Sequence, residues 1–192
     1  QWRNTCRWPE LFRPGCRVWV QHNSSPTRKT AWTLITVDKD GVLVNVDSLA
    51  PNKLFAEAVT KGILVPASLS RVEQMRSEVK LGSSRLDWQL TGPEGRLWCE
   101  VKGVTLEQDG TALVPDAPTL RGLGHVETLR RLRSEGDFAM AAFLVQMEGI
   151  RRFRPNTAAQ PDFARALREA REAGVEIVCC GCRVTPDSVE PA

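Results

Sequence analysis

The pattern of hydrophobic and polar positions changes along the chain, and this change predicts its organisation. The first 46 residues contain short apolar and β-branched runs of strand length, and Asp40-Gly41 has the composition of a tight hairpin turn. From Pro51 onward, segments with helical periodicity alternate with segments of strand length. We therefore predict a partial β domain over residues 1–50 and an α/β domain over residues 51–192. The predicted strands of the first domain are Cys16–Val20, Trp32–Asp38 and Gly41–Val46.

The second domain combines three amphipathic stretches of helical period with several short runs of strand length. Phe138–Val145 is continuously apolar, as in a strand that is buried on both faces of a sheet. Arg71–Lys80 stays open between helix and strand, because its apolar residues have helical spacing but it leads directly into a strand. The order predicts an α/β (α+β) fold. The predicted helices are Pro51–Lys61, Thr119–Ser134 and Pro161–Ala173, and the remaining strands are Ser84–Trp88, Leu97–Lys102, Thr111–Val114 and Val175–Cys182.

Asp87 and the segment Glu100-Val101-Lys102 carry the most informative candidate chemistry. They lie on the two arms of a predicted hairpin, and residues i and i+2 of a strand project to the same face. Two carboxylates can hold a hard divalent cation such as Mg²⁺, which keeps several waters and binds phosphate oxygens. Lys102 would steer or deprotonate an attacking water and offset the charge that develops on a phosphate. The set therefore fits phosphodiester hydrolysis.

Positive charge is concentrated in clusters, although a net charge of +3 is too small to indicate a polyanion partner by itself. Of the 26 basic residues, 20 are Arg, whose planar guanidinium suits phosphate. The clusters are Arg130-Arg131-Leu132-Arg133 and Arg151-Arg152-Phe153-Arg154. Each is open between a solvated helix face or strand end and a contact with nucleic acid.

The sequence has neither an apolar run of membrane-spanning length nor a secretory signal pattern, so a cytoplasmic protein is expected. Because the chain begins at Gln1, we also expect a shortened N-terminus. Cys179-Cys180-Gly181-Cys182 resembles a metal knuckle, but it lacks a second pair of ligands at zinc spacing. Buried thiols that pack as small apolar side chains are the favoured interpretation.

An ordered set of segments resembles the sugar fermentation stimulation protein (SfsA) family, and the resemblance covers nearly the whole chain. The set is far more specific than any one of its motifs. The matching segments are Pro51-Asn52-Lys53-Leu54, Glu78-Val79-Lys80-Leu81-Gly82-Ser83-Ser84-Arg85-Leu86-Asp87, Glu100-Val101-Lys102-Gly103-Val104-Thr105-Leu106, and Pro115-Asp116-Ala117-Pro118-Thr119-Leu120-Arg121-Gly122 followed by His125.

The resemblance implies a partial N-terminal OB-like β-barrel followed by a PD-(D/E)xK nuclease-type domain, with a mixed central sheet flanked by helices. It implies binding of DNA without sequence preference. RNA stays open as an alternative partner, and the two carboxylates make Mg²⁺ or Mn²⁺ the expected cofactor. By the family pattern, the catalytic residues are Asp87, Glu100 and Lys102, and Glu57 is a candidate third acid for the metal. The residues expected to contact nucleic acid are Arg28, Lys29, Arg85, Arg121 and His125. The oligomeric state stays open, with a homodimer as one alternative.

The chain departs from the family pattern in two places. Leu123-Gly124 stands where the family usually has Gln-Lys, which removes one phosphate contact and one supporting polar contact. Asn4–Trp8 resembles a segment that normally lies some tens of residues from the N-terminus, so we expect the first barrel strands to be absent.

Most of the single residues also have a structural interpretation. Asp116 is expected to cap the helix near Thr119, and the alternative is a further acid on the metal side. Trp88 and Trp98 are expected to pack in the core, because stacking on bases would need them exposed beside a basic groove. His125 is open between a core or surface histidine and a residue that contacts phosphate or transfers a proton.

Three functions from different classes are consistent with the sequence. The first is a metal-dependent nuclease that uses Asp87, Glu100 and Lys102. The second is a non-catalytic, DNA-binding regulatory protein, linked to sugar (maltose-type) metabolism, that retains the nuclease fold. The third is a structural or interaction protein in which the acids and the lysine form only a salt-bridge network.

Overall fold

The computed structural model describes residues 11–24, 29–82 and 84–192, and it begins with an antiparallel sheet of three strands. These strands are β1 (Val18–His22), β2 (Trp32–Lys39) and β3 (Val42–Asn45). The turn between β2 and β3 has positive φ at both Asp40 (53°) and Gly41 (91°), as a two-residue hairpin turn of primed type requires. The hairpin predicted from these two residues is therefore confirmed.

A mixed sheet of six strands forms the body of the second domain, in the order β12-β11-β9-β6-β5-β4. Strands β6, β9 and β11 are parallel at its centre, and the pairs toward both edges are antiparallel. The strands are β4 (Gln74–Leu81), β5 (Ser84–Gly92), β6 (Gly95–Val104), β9 (Phe138–Val145), β11 (Glu176–Val184) and β12 (Val189–Pro191). The ambiguous segment Arg71–Lys80 thus contributes an edge strand.

The three helices of the described residues cover both faces of this sheet. Helix α1 (Ala50–Thr60) packs on one face, and α2 (Leu120–Ser134) and α3 (Pro161–Glu172) pack on the other. Alternate residues of β9 serve the two faces, which explains its continuous apolar sequence. Met140 and Leu144 pack with α1, whereas Ala141 and Phe143 pack with the other two helices.

A second small sheet lies beside the ends of the large one, in the order β10-β8-β7. Its strands are β7 (Leu106–Gln108), β8 (Thr111–Val114) and β10 (Arg152–Pro155). Strand β8 was predicted with these bounds. Strands β7, β10 and β12 were not predicted, because each has only three or four residues and no clear alternation.

One hydrophobic cluster spans the N-terminal sheet and the second domain. Val37 and Val44 of the N-terminal sheet belong to the same buried cluster as Trp98 and Phe143 of the large sheet. The buried Gln146 fastens this junction, since its Nε2 donates to Asn45 Oδ1 at 2.8 Å and its backbone carbonyl accepts from Asn45 N at 2.9 Å. The two domains therefore share a core.

The cysteine cluster lies on β11, with Cys180 and Cys182 buried and Cys179 exposed. Burial raises the pKa of the Cys182 thiol to about 12. Within the described ranges, no three His, Cys, Asp or Glu side chains are grouped so that they could hold a metal ion. None of the described helices combines the length and hydropathy needed to cross a membrane.

Candidate active site

Asp87 lies where strands β5 and β6 separate. The ladder between them runs from Gly92 paired with Gly95 to Trp88 paired with Cys99. At the next residue, Asp87, the backbone pairing ends, and Asp87 Oδ2 accepts a hydrogen bond from the backbone N–H of Val101 at 2.8 Å. A side chain thus replaces the interstrand hydrogen bond, and the carboxylate is held at the opening between the strands.

The backbone on the other side of Asp87 is also distorted. In the β4–β5 register, Ser77 pairs with Trp88 and Val79 with Leu86, which leaves Glu78 opposite Asp87. Glu78 has φ of 54°, a left-handed conformation that is uncommon outside glycine. Such conformations cost free energy and are concentrated at functional sites.

Asn52, in the first turn of α1, connects this helix to Asp87. Its Oδ1 accepts from Trp88 Nε1 at 2.7 Å, which fixes the amide orientation, and its Nδ2 donates to Asp87 Oδ1 at 3.4 Å. Trp88 in turn packs against Phe55 of the same helix, with the ring centroids 6.0 Å apart. Sequence reasoning did not assign Asn52 to the site, although its segment was among those that carried the family resemblance.

Glu100 and Lys102 emerge from the same face of β6, as the alternation of strand residues predicted. Glu100 is only 3% exposed, and its Oε1 contacts both Lys102 Nζ and His125 Nδ1. Lys102 Nζ also lies 3.2 Å from His125 Nδ1. The other carboxylate oxygen, Glu100 Oε2, is buried with no hydrogen-bond partner among the described residues. An unsatisfied buried carboxylate oxygen is rare in proteins, and a bound ion or water would satisfy it.

The two carboxylates respond differently to this environment. Burial raises the pKa of Asp87, and the neighbouring charge of Glu100 raises it further, against the hydrogen bond from Val101 and the charge of Lys102. Burial also acts to raise the pKa of Glu100, but the hydrogen bond from His125 and the charge of Lys102 outweigh it, so the pKa is lowered. Glu100 is thus held ionised, whereas Asp87 is the acid that resists ionisation.

Helix α2 brings His125 and Arg121 to the site, one turn apart. Arg121 Nε donates to His125 Nε2 at 3.5 Å, so His125 Nδ1 carries the ring proton in the neutral tautomer and donates it to Glu100. Arg121 and Lys102 border a groove of about 480 Å³ along the segment that leads into α2. The remaining lining residues are Gly103, Val114, Pro115, Asp116, Ala117, Pro118, Thr119 and Gly122.

Asp116 lies in this groove wall and does not cap the helix. Thr119 occupies the N-cap position of α2, and the cap has no side-chain hydrogen bond. Asp116 Oδ1 instead accepts the N–H of Ala117 at 3.0 Å. The predicted cap is therefore wrong, because the chain continues through Pro118 before the helix begins.

The structure does not bring Glu57 to the other two acids. Its carboxylate pairs with Lys61 Nζ at 2.6 Å and borders a separate groove that Trp19 and Asp187 also line. At 3.6 residues per turn, Glu57 lies ~140° around α1 from Asn52, the residue that reaches Asp87. Glu57 is thus a poor candidate for a ligand shared with Asp87, and the helix offers an amide there instead of a third carboxylate.

The predicted nucleic-acid contacts fall in different places. Arg121 and His125 join the site, as described above. Arg85 lies two residues before Asp87 on β5, is exposed, and pairs with Glu78 at 2.9 Å. Lys29 is exposed beside the N-terminal sheet, and Arg28 lies outside the described residues.

Trp98 confirms the core interpretation, because it is 4% exposed and its Nε1 donates to Asp137 Oδ2 at 3.0 Å. Trp88 is half-buried in the contact with Phe55 and Asn52. Neither ring is placed to stack on a base.

The donor set fits a hard divalent cation that keeps part of its hydration shell. Asp87 and Glu100 supply carboxylates, and Glu100 Oε2, which has no hydrogen-bond partner among the described residues, is available to bind a metal ion. Two carboxylates are the usual protein contribution to a Mg²⁺ site that also binds phosphate oxygens.

Two known families match almost the whole chain. Residues 2–46 match the SfsA N-terminal OB domain, and residues 49–188 match the sugar fermentation stimulation protein RE domain. The sugar fermentation stimulation protein homolog of Desulfitobacterium hafniense (strain Y51) is 39% identical over 188 residues, covering 98% of this chain and 80% of the relative. The homolog of Clostridium perfringens (strain 13) is 38% identical over 188 residues, covering 97% and 81%.

A solved structure gives the same result at the level of the fold. The structure of Pyrococcus furiosus SfsA in complex with Ca²⁺ is 28% identical, with a TM-score of 0.86 over 98% of this chain and 80% of that chain. The fold class expected from the resemblance, an OB-like domain followed by a mixed α+β domain, is confirmed.

Proposed function

Because the chain belongs to the sugar fermentation stimulation protein family, we propose that it binds DNA through the phosphate backbone and hydrolyses phosphodiester bonds. The observation that carries the proposal is the pair of carboxylates at the fork of β5 and β6. Glu100 Oε2 is buried without a described partner, and Asp87 lies close enough for the charge of Glu100 to raise its pKa. Placing two acids close together in a half-buried site lowers the stability of the fold, and a purely structural role does not require such a pair.

Asp87 and Glu100 would hold Mg²⁺ or Mn²⁺. The complex of the Pyrococcus furiosus relative with Ca²⁺ supports a divalent cation, since Ca²⁺ prefers the same oxygen ligands. When bound, the cation would polarise a phosphate oxygen and lower the pKa of a coordinated water.

The other side chains position the phosphate and balance its charge. The Lys102 side chain is 29% exposed, so its ammonium can reach solvent while Glu100 holds its orientation. It would orient the attacking water and stabilise charge on the phosphate in the transition state. Arg121, at the solvent side of the same groove, offers a planar donor pair for a further phosphate oxygen. His125 keeps Glu100 in place through its Nδ1 proton.

Binding would be directed to the backbone and shape of DNA, with RNA as the alternative substrate. Phosphate contacts position a nucleic acid without reading its sequence. The groove beside Lys102 is lined by backbone, proline and small side chains and by few donors suited to base edges.

A cleavage assay on supercoiled plasmid DNA and on single-stranded DNA and RNA tests the proposal. We expect nicking or degradation that needs Mg²⁺ or Mn²⁺ and is lost with a chelator. Lys102→Ala and Asp87→Asn should each lower the rate by at least ~100-fold. Glu57→Gln and Lys61→Ala are the matched controls, because they remove an acid and a lysine from a different surface and should leave the rate unchanged. Wild-type activity in all four variants would show that the assigned site is wrong or that a contaminant cleaves the DNA.

A DNA-binding protein without turnover is the second candidate. It is favoured by one feature, the closed network in which Lys102 and His125 both engage Glu100 Oε1. In that case the wild type binds DNA with a steep dependence on salt but does not cleave it with any of the metals. Weak binding that does not depend on salt would favour a purely structural network.

A further inference from the structure

We propose that the edge strand β10 is a second phosphate-binding element, which guides the nucleic-acid backbone toward the groove beside Lys102. This inference rests on the proposed function and adds to it a location outside the catalytic groups. It starts from the cluster Arg151-Arg152-Phe153-Arg154, which the site described above does not use.

Packing of Phe153 sets the direction of the arginines. Its ring lies 4.8 Å from the ring of Phe143 of β9 and belongs to the edge of the main hydrophobic cluster. Because successive side chains of a strand point to opposite faces, Arg152 and Arg154 both point to solvent on the other face. They are two residues apart, so their Cα atoms are about 6.6 Å apart along the strand.

Neither arginine is neutralised by its surroundings. Among the described residues, Arg152 and Arg154 form no ion pair with an acid, in contrast to Arg13, Arg17 and Arg96, which do. Glu148, which precedes this strand in the chain, lies 3.8 Å from Arg183 instead. Arg151, Arg152 and Arg183 border the same groove beside β10 together with one acidic side chain, Glu148, so the net charge of the lining side chains is positive.

The strand leads directly to the active-site groove. Strand β10 is parallel to β8, with Arg154 opposite Leu113 and Pro155 opposite Val114. Val114 and the residues after it form the groove wall that faces Lys102 and Arg121. Asn156, two residues after Arg154, donates from Nδ2 to the carbonyl of Pro115 at 3.3 Å and so joins the strand to that wall.

A polyanion that follows β10 therefore arrives at the catalytic lysine. Arginine binds phosphate through two parallel N–H donors, and an edge strand holds such donors at a fixed spacing. A single phosphate bound in the groove would not contact the arginines of β10, because they lie beyond the groove wall. The surface fits the extended backbone of a nucleic acid.

The test compares the salt dependence of binding for two double variants. The first is Arg152→Gln with Arg154→Gln, and the control is Arg168→Gln with Arg171→Gln, two exposed arginines in the second half of α3. Binding to a fluorescent DNA duplex is measured by anisotropy with a chelator present, from 50 to 200 mM salt. We expect the β10 variant to reduce the slope of log K against log salt by about 1.8, at 0.9 per lost phosphate contact. Between 50 and 200 mM salt, the affinity of the β10 variant should therefore fall by a factor that is about twelvefold smaller than the factor for the wild type.

The control variant should keep the wild-type slope. An unchanged slope in the β10 variant, equal reductions in both variants, or a wild type that does not bind the duplex would each overturn the inference. Metal-dependent hydrolysis of bis(p-nitrophenyl) phosphate separates this from the proposed function, because so small a diester cannot reach β10. Its rate should be the same in the β10 variant and the wild type, and its absence in the wild type would count against the catalytic proposal instead.

Discussion

His125 contacts Glu100 Oε1 from a helix, so α2 fixes the orientation of a carboxylate that strand β6 carries. The two residues are 25 positions apart in the chain, and the contact forms only when α2 packs on the sheet. Arg121 Nε donates to the other ring nitrogen of His125, which sets the tautomer. Histidine here holds a candidate metal ligand in position.

We predict that His125→Ala lowers the affinity for Mn²⁺ by about 10–100-fold, the usual cost of removing a group that orients a metal ligand. The variant His125→Asn keeps a donor near Glu100 and should lose much less. Isothermal titration with Mn²⁺ and Ca²⁺ measures both. If the alanine and asparagine variants bind the metals as tightly as the wild type does, Glu100 is oriented by Lys102 alone.

Sequence patterns and the family resemblance predicted the site residues on the strands and on α2, but they missed the contribution of α1. Glu100 and Lys102 followed from alternation along one strand, and Asp87 followed from the hairpin that pairs its strand with theirs. Asn52 did not follow, since its contact with Asp87 depends on how α1 lies across the sheet, which no local period records. The same reason explains Glu57, which has the right charge on the right helix but the wrong face.

Short edge strands were the other gap in prediction. Strand β10 forms because β8, some 40 residues earlier, offers a parallel edge and because Phe153 packs on Phe143. From the sequence, the segment around Phe153 was recognisable only as a cluster of positive charge and not as a strand. Arg71–Lys80 has the opposite problem, because its helical spacing is overruled by pairing with β5.

Asp87→Asn should stabilise the metal-free protein. The pKa of Asp87 is raised, so its ionised form is less favourable in the folded than in the unfolded protein, and this penalty applies above the raised pKa. At neutral pH we expect the melting temperature to rise on the order of 2–4 °C, the effect of about 1 kcal/mol in a chain of this size. As the pH falls through the pKa of Asp87, the wild-type carboxyl becomes neutral too, and the advantage of the variant should shrink.

The same variant should not gain stability from metal. We expect Ca²⁺ or Mn²⁺ to raise the melting temperature of the wild type by binding only the folded state, and to leave that of Asp87→Asn unchanged. Differential scanning calorimetry from pH 4 to 8, with and without metal, measures both effects. A variant that is less stable than the wild type at pH 7 would contradict the assignment of Asp87 as a strained site residue.

Asn52→Ala should lower both the stability of the protein and the affinity of the candidate site for a metal ion. The substitution leaves Trp88 Nε1 without its acceptor and Asp87 without one donor, and an unsatisfied half-buried donor costs about 1–3 kcal/mol. Chemical denaturation should show that loss, and the affinity for Mn²⁺ should fall. Asn52→Asp retains an acceptor for Trp88 but puts a carboxylate beside Asp87 Oδ1, so it should recover stability only at a pH at which one of the two acids is protonated. Full stability in the alanine variant would mean that water replaces the amide.

Gly103→Ala should destabilise the junction next to the catalytic lysine. A methyl group on Gly103 would overlap with Gln146 Oε1 and approach Pro51 Cγ to 2.7 Å, and both neighbours are held in place. Gln146 is fastened to Asn45, and Pro51 belongs to the first turn of α1, so neither can move without cost. Overpacking of this kind costs about 1–3 kcal/mol, and it would displace the residue that follows Lys102.

Gly124→Ala is the matched control, because a Cβ at that position of α2 meets no atom within 4 Å. Replacing a helical glycine with alanine should stabilise the protein by about 0.5–1 kcal/mol, through helix propensity alone. Urea denaturation of the two variants should therefore give free-energy changes of opposite sign. If Gly103→Ala is neutral, Gln146 can rotate away from Asn45, and the two domains are joined less firmly than this hydrogen bond indicates.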